Sequence, residues 1–208
     1  MSRMLLLMSL FAAGNLSAAE NIAPKAKVSA TSEYDGNYSA RFALDGIVPN
    51  ALSQQDVKTA WVVNGALSRQ NGGATFRLEW DTPQSVAEVV YFGRTAMILD
   101  ECFKDYEIFI NDNETAVAKG TLLKKHGAQR ITLSEPKTTQ SLTIKFLNSY
   151  TSRYNPGASE IAVYSEIPGD KELAQFTGEK RTHAEEALAA SVSSGDFGFT
   201  GILAVERQ

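Results

Sequence analysis

The sequence predicts an all-β protein, an antiparallel β-sandwich of the jelly-roll kind, on three observations. Between about residue 26 and residue 164, short segments alternate apolar and polar side chains with period two, the signature of half-buried strands. Turn chemistry separates these segments, and none of them carries the periodicity of an amphipathic helix. One run, Val86 to Phe92, is almost continuously β-branched and aromatic, as a buried central strand would be.

The segments follow in order. Thr75-Phe76-Arg77-Leu78-Glu79-Trp80 puts Phe76, Leu78 and Trp80 on one face, and Val86 to Phe92 comes next. Tyr106 to Ile110 is a further strand, ended by Asn111-Asp112-Asn113, residue types that tolerate turn conformations. Arg130 to Leu133 is short, Leu142 to Phe146 alternates again, and Glu160 to Tyr164 closes the series. Two long stretches, Gly46 to Thr59 and Gly65 to Gly73, carry no strand pattern. Loops of this length in a compact β domain either organise a ligand or are tolerated surface insertions, and both readings stay open.

The ends of the chain have a different character. Arg3, the apolar run Met4 to Ala13 and the small residues Ser17-Ala18-Ala19 form a secretory leader cleaved after Ala19. The apolar run is too short to span a bilayer, so the expected product is exported, secreted or periplasmic, with no membrane span. Ile167-Pro168-Gly169 marks a boundary, after which Thr182 to Glu185 fits a capping box opening a helix. The chain thus divides into a leader (residues 1–19), a β-sandwich (20–165) and a partly helical C-terminal extension (166–208), which suits a connection to a further domain.

Charge and composition exclude several function classes. The 208 residues hold 20 Lys and Arg against 24 Asp and Glu, a net charge of −4, so no concentrated basic face is available for nucleic acid. One Cys and two His are too few for a structural zinc site and exclude an internal disulfide. His126, in the polar stretch Lys124-Lys125-His126-Gly127, and His183, in the extension, read as solvated histidines, and neither lies near a nucleophile elbow. Cys102 beside Phe103 reads as a packing residue. No phosphate-binding loop is present, and no spacing singles out a pair of carboxylates for glycoside hydrolysis. The expectation is a protein without catalytic activity.

The informative oxygen ligands lie in Ala43-Leu44-Asp45-Gly46, where an Asp-Gly turn sets a carboxylate beside backbone carbonyls, and in Pro156-Gly157-Ala158-Ser159-Glu160-Ile161. A hard cation such as Ca²⁺ takes this mixture of carboxylate, carbonyl and hydroxyl oxygens.

Taken in order, five segments resemble the F5/8 type C (discoidin) domain, the galactose-binding-like jelly roll that includes the family 32 carbohydrate-binding modules. They are Asn21-Ile22-Ala23 with Val28 to Ser32; Ala40 to Gly46 with Thr59-Ala60-Trp61; Phe76 to Trp80; Gly93-Arg94 with Lys104 to Ile108; and Tyr154 to Ile161. The family's usual Trp before the third segment is replaced by Gly73-Ala74-Thr75, and its terminal Cys pair is missing, as in bacterial-type modules. The resemblance implies one structural Ca²⁺ held by Asp45, Thr59 and Glu160, with Asp56 as a further candidate because the intervening loop is longer than usual. It also implies a carbohydrate site on loops at one end of the sandwich, built from an aromatic plate and planar polar groups. The candidates are Tyr34, Arg69, Arg94, Phe103, Arg153 and Tyr154, with Asn71 and Tyr150 beside them. The partner this implies is a carbohydrate, with a catalytic domain or another protein attached. The alternative is a protein-interaction or surface-attachment module without a sugar site.

Overall fold

The computed structural model describes residues 18–50, 53–66, 73–151 and 153–176. The leader through Ser17, Arg69, Asn71, His183 and the helix expected from Thr182 lie outside these residues. Among the described residues there are seven strands: β1 (Lys27–Ala30), β2 (Trp61–Val62), β3 (Ala74–Gly93), β4 (Asp105–Ile110), β5 (Ala118–Thr121), β6 (Ala128–Phe146) and β7 (Gly157–Tyr164). They pair antiparallel along the path β2-β7-β3-β6-β4-β5, with β1 added on β3.

Two strands are longer than their sequence patterns suggest. The segments Thr75–Trp80 and Val86–Phe92 are one bent strand, β3, and Arg130–Leu133 and Leu142–Phe146 are one bent strand, β6. Their register shifts between Glu79 and Gln84 and again between Val86 and Glu88, where irregular pairing lets both strands turn the sandwich edge together. The first half of β3 pairs with β1 and the second half of β6, so β1, β3, β6, β4 and β5 make one layer. The second half of β3 pairs with β7 and the first half of β6, so β2, β7, β3 and β6 make the other. β5, Ala-Lys-Gly-Thr, lacks an apolar alternation and is held by its pairing with β4.

Aromatic rings fill the space between the layers. Phe103 stacks on Phe146 at 3.9 Å, and Trp61 meets Phe76 at 5.0 Å and Phe103 at 5.3 Å. Tyr91 reaches Phe146 from the opposite layer at 5.9 Å. A second cluster lies outside the sandwich, where Val90, Phe92, Ala162 and Tyr164 pack beneath Val48 and Phe176. Phe176 follows the short helix α1 (Asp170–Ala174) and sits 4.9 Å from Phe92, so the chain beyond β7 folds back on the domain. Cys102 is buried, as the sequence suggests, and burial pushes its thiol up to about 11, so it is inert at neutral pH.

Candidate functional site

The first cluster lies where the Asp-Gly turn meets β7. A 3-10 turn, Ala40–Ala43, delivers Asp45 and Gly46 to Glu160, which is completely buried. Gly46 has φ +76°, a left-handed conformation cheap only for glycine, and its N–H donates to Glu160 Oε2 at 3.1 Å. Asp45 Oδ1 accepts the Ile47 N–H at 2.9 Å, which folds the turn. Glu160 Oε1 is buried and has no hydrogen-bond partner. Burial, reinforced by the Asp45 charge and opposed by the Gly46 N–H, holds the Glu160 carboxyl well above its ordinary range.

Asp45 and Glu160 are therefore brought together. Thr59 lies two residues before Trp61 and Glu160 two residues after Ala158, and Trp61 pairs with Ala158 antiparallel, so Thr59 and Glu160 share one end of the β2–β7 pair. An orphaned carboxylate oxygen beside a second carboxylate fits a hard cation, which would satisfy the first and neutralise both. No group of three or more His, Cys, Asp or Glu is assembled among the described residues, so an ion here would draw on carbonyl and hydroxyl oxygens as well.

Asp56 does not belong to this set. Its two carboxylate oxygens accept from Arg94 Nε at 2.6 Å and Nη2 at 2.8 Å, and both residues are buried. Arg94 Nη1 donates to Glu101 and to the Asn155 carbonyl at 3.1 Å. The guanidinium is thus an internal tie rather than the exposed sugar contact expected of it, because a planar fork matches the carboxylate of the long loop at both oxygens. His126 corrects a second expectation, since it is half-buried rather than solvated. Its Nδ1 lies 2.9 Å from the Arg94 carbonyl and Nε2 lies 3.0 Å from the Pro49 carbonyl. Asp56 and Pro49 are therefore two points at which the described residues of the loop between Gly46 and Thr59 are tied to the domain.

The aromatic candidates separate. Phe103 is completely buried in the ring stack and cannot present a face to a ligand. Tyr150 is half-buried, and its hydroxyl donates to the Leu122 carbonyl at 2.7 Å. Tyr34 and Tyr154 are 46% and 56% exposed. They flank β2: the Tyr34 N–H donates to the Val62 carbonyl at 2.7 Å, and the Val63 N–H donates to the carbonyl of Pro156, two residues after Tyr154, at 2.8 Å. Gly157 allows this approach, since a Cβ there would stand 2.2 Å from the Trp61 carbonyl oxygen. Arg153 is exposed beside Tyr154.

Tyr38, which the sequence reading passed over, meets Tyr34 edge-on at 5.8 Å, and the Arg94 guanidinium lies 5.8 Å from its ring. The spacing of two tyrosines four apart in one turn-rich loop was its available signal. Glu101 was missed as well, and burial raises its carboxyl despite Arg94 beside it. The arrangement offers exposed rings next to a rigid polar cluster at one end of the sandwich. Exposed rings beside polar groups are what a neutral polyhydroxyl ligand needs.

A family described as a domain of unknown function (DUF7402) matches residues 21–164. No curated protein matches the chain. Solved structures do. The family 32 module of NanJ from Clostridium perfringens, in complex with galactose, is 22% identical with a TM-score of 0.54, over 71% of this chain and 98% of that one. An F5/8 type C domain from Bacteroides fragilis is 18% identical with a TM-score of 0.56, over 72% and 96%. A fucose-binding module from Streptococcus pneumoniae is 20% identical with a TM-score of 0.52, over 71% and 96%. The fold is therefore the galactose-binding-like sandwich that the five segments resemble.

Proposed function

The chain belongs to the DUF7402 family, and from that premise we propose that it is an exported, non-catalytic module that binds carbohydrate through the loop end bearing Tyr34 and Tyr154. The observation that carries this reading is the pair of exposed tyrosines, Tyr34 with its N–H bonded to the Val62 carbonyl and Tyr154 two residues before Pro156, whose carbonyl accepts from the Val63 N–H. An exposed tyrosine ring stacks on the C–H face of a pyranose. The galactose complex and the fucose-binding module of similar fold support the same ligand class. Export rests on the leader-like residues 1–19, and no helix among the described residues is long and apolar enough to cross a membrane. A structural Ca²⁺ would sit between Asp45 and Glu160, with Thr59 as a further oxygen donor, and would hold the Asp-Gly turn against β7. A catalytic domain or another protein attached beyond residue 165 is the natural partner for such a module.

A glycan array probed with residues 20–208, with Ca²⁺ and with chelator, tests the reading. Binding to neutral galactose- or fucose-containing glycans that falls roughly ten-fold on Tyr34→Ala or Tyr154→Ala is the expected result. Silence from a folded protein would move the assignment to a protein-interaction module.

A further inference from the structure

We propose that the outer face of the β1–β3–β6–β4 layer is a second binding surface, a groove that takes an extended, uncharged polysaccharide chain along its length. Two depressions on this face, of about 720 Å³ and 430 Å³, adjoin and share Arg77 and Asp112. The first reaches Pro83 and the second Thr75, both on β3. Along the regular part of β3 from Thr75 to Glu79, ~3.3 Å per residue gives about 13 Å, longer than one sugar ring, and the depression continues past the bend to Pro83. Edge strand β1 lines one side and the Asn111-Asp112 turn the other. Both turn residues are left-handed, with φ +49° and +58°, and Asn111 Oδ1 accepts from Thr139 Oγ1 at 2.7 Å and from the Gln140 N–H at 2.9 Å. These bonds fix the turn against β6.

Charge selects the ligand. The two basic side chains lining the groove are both matched, Lys27 by Asp81 at 2.7 Å and Arg77 by Glu79 and Asp112. Arg77 commits all five of its N–H donors, since Nε and Nη2 serve Glu79, Nη1 and Nη2 serve Asp112, and Nη1 also serves Thr143. Arg77 has no donor left for a phosphate, sulfate or uronate, Lys27 is neutralised by Asp81, and the exposed carboxylates of Glu79, Asp81 and Asp112 repel such groups. The same carboxylates accept hydrogen bonds from hydroxyls, and Thr143 and Ser29 both give and accept them. Half-buried Phe109 adds an apolar plate in the second depression. The long open form suits a polymer lying across it, whereas a compact small molecule is bound in an enclosed pocket.

The inference rests on the sugar-binding reading but uses none of the residues of the tyrosine end. Its test is retention of residues 20–208 in affinity gels containing soluble galactan, xylan, mannan or β-glucan, beside calorimetry with the matching mono- and disaccharides. Thr143→Trp fills the groove, and Phe109→Ala removes its plate. Each is expected to weaken retention by a neutral polymer roughly ten-fold while leaving binding of the short sugars unchanged. The Tyr34→Ala, Tyr154→Ala double variant is expected to do the reverse. Thermal melts show whether the variants fold, and Asp112→Asn, which keeps the left-handed turn, replaces Thr143→Trp should that variant fail. Retention unaffected by the groove variants overturns the groove and leaves the tyrosine end standing. Polymer retention that the groove variants abolish, without any short-sugar binding, supports the groove and overturns the tyrosine end. Preference for polygalacturonate over the neutral chains overturns the groove through its charge argument, and wild-type indifference to every sugar overturns both sites.

Discussion

The two halves of β3 belong to one strand, yet they meet different surroundings. In Ala74 to Trp80, Phe76, Leu78 and Trp80 face the core while Arg77 and Glu79 face solvent across the groove. In Val86 to Phe92 every side chain is buried, because Val48 and Phe176 cover the outer face. Even Glu88 lies inside, with Arg130 and Thr132 meeting its carboxylate. Strict alternation therefore reports an open face, and a continuous apolar run reports a cover supplied from elsewhere in the chain. The charges divide in the same way. Arg77 is matched by exposed acids on the open half, and Arg94, one residue past the covered half, is matched by a buried one.

The interior that both halves share should be the most sensitive place to break this arrangement. Phe103→Ala removes the ring stacked on Phe146, and it should cost about 3–5 kcal/mol. That loss reads as a fall in Tm on the order of 10 °C by calorimetry. Asp56→Ala leaves Arg94 buried with only Glu101 and a carbonyl as partners. Removing one member of a buried pair should cost about 3 kcal/mol in denaturant titrations, and a loss comparable to that of an exposed pair would show that the loop is not tied down.

Glu160 gives a pH-dependent difference of similar size. Its folded carboxyl is raised above the ordinary 4.5, so in chelator the folded chain keeps a proton that the unfolded chain has released. Stability should thus be greatest below that value and decline as pH rises, until the folded carboxyl ionises as well. Ca²⁺ at about 100 times its Kd should restore about 2.7 kcal/mol at neutral pH. Glu160→Gln should remove both the decline and the gain in melts near pH 5 and pH 8. Identical wild-type curves with and without Ca²⁺ would refute the metal assignment.

The cover on the second half of β3 is a smaller test. Phe176→Ala exposes Phe92 and should cost about 2 kcal/mol, less than the Phe103 change, because one side of the cluster is already near solvent. On the open half, Lys27→Ala loses only an exposed pair with Asp81 and should leave the melting temperature unchanged.

Most strands were legible because their side chains alternate, and the bends joining two predicted strands into one were not. Residues 81–85 and 134–141 are polar and separate the alternating segments, whereas in the structure they belong to continuous bent strands, with Gln84, Ser85 and Val86 pairing with Thr139, Thr138 and Lys137. Of the candidate site, Asp45 and Glu160 followed from the family resemblance and lie together in the structure, and Tyr34 and Tyr154 are both exposed on loops. Phe103 and Arg94 were chosen for the same chemistry and turned out to be interior. An aromatic ring or a guanidinium reads alike in a sequence whether it faces a ligand or the core.

The amino-acid sequence by itself determined the β class, the segments that make β3, β4, β6 and β7, and the oxygen-rich turn, because these follow from side-chain period and from backbone preferences that act within a few residues. Only the tertiary structure decided which charges are paired, that His126 and Asp56 pin the long loop, and which face of each strand is covered. Those outcomes depend on burial and on partners 38 to 114 residues apart, where no local pattern carries the information.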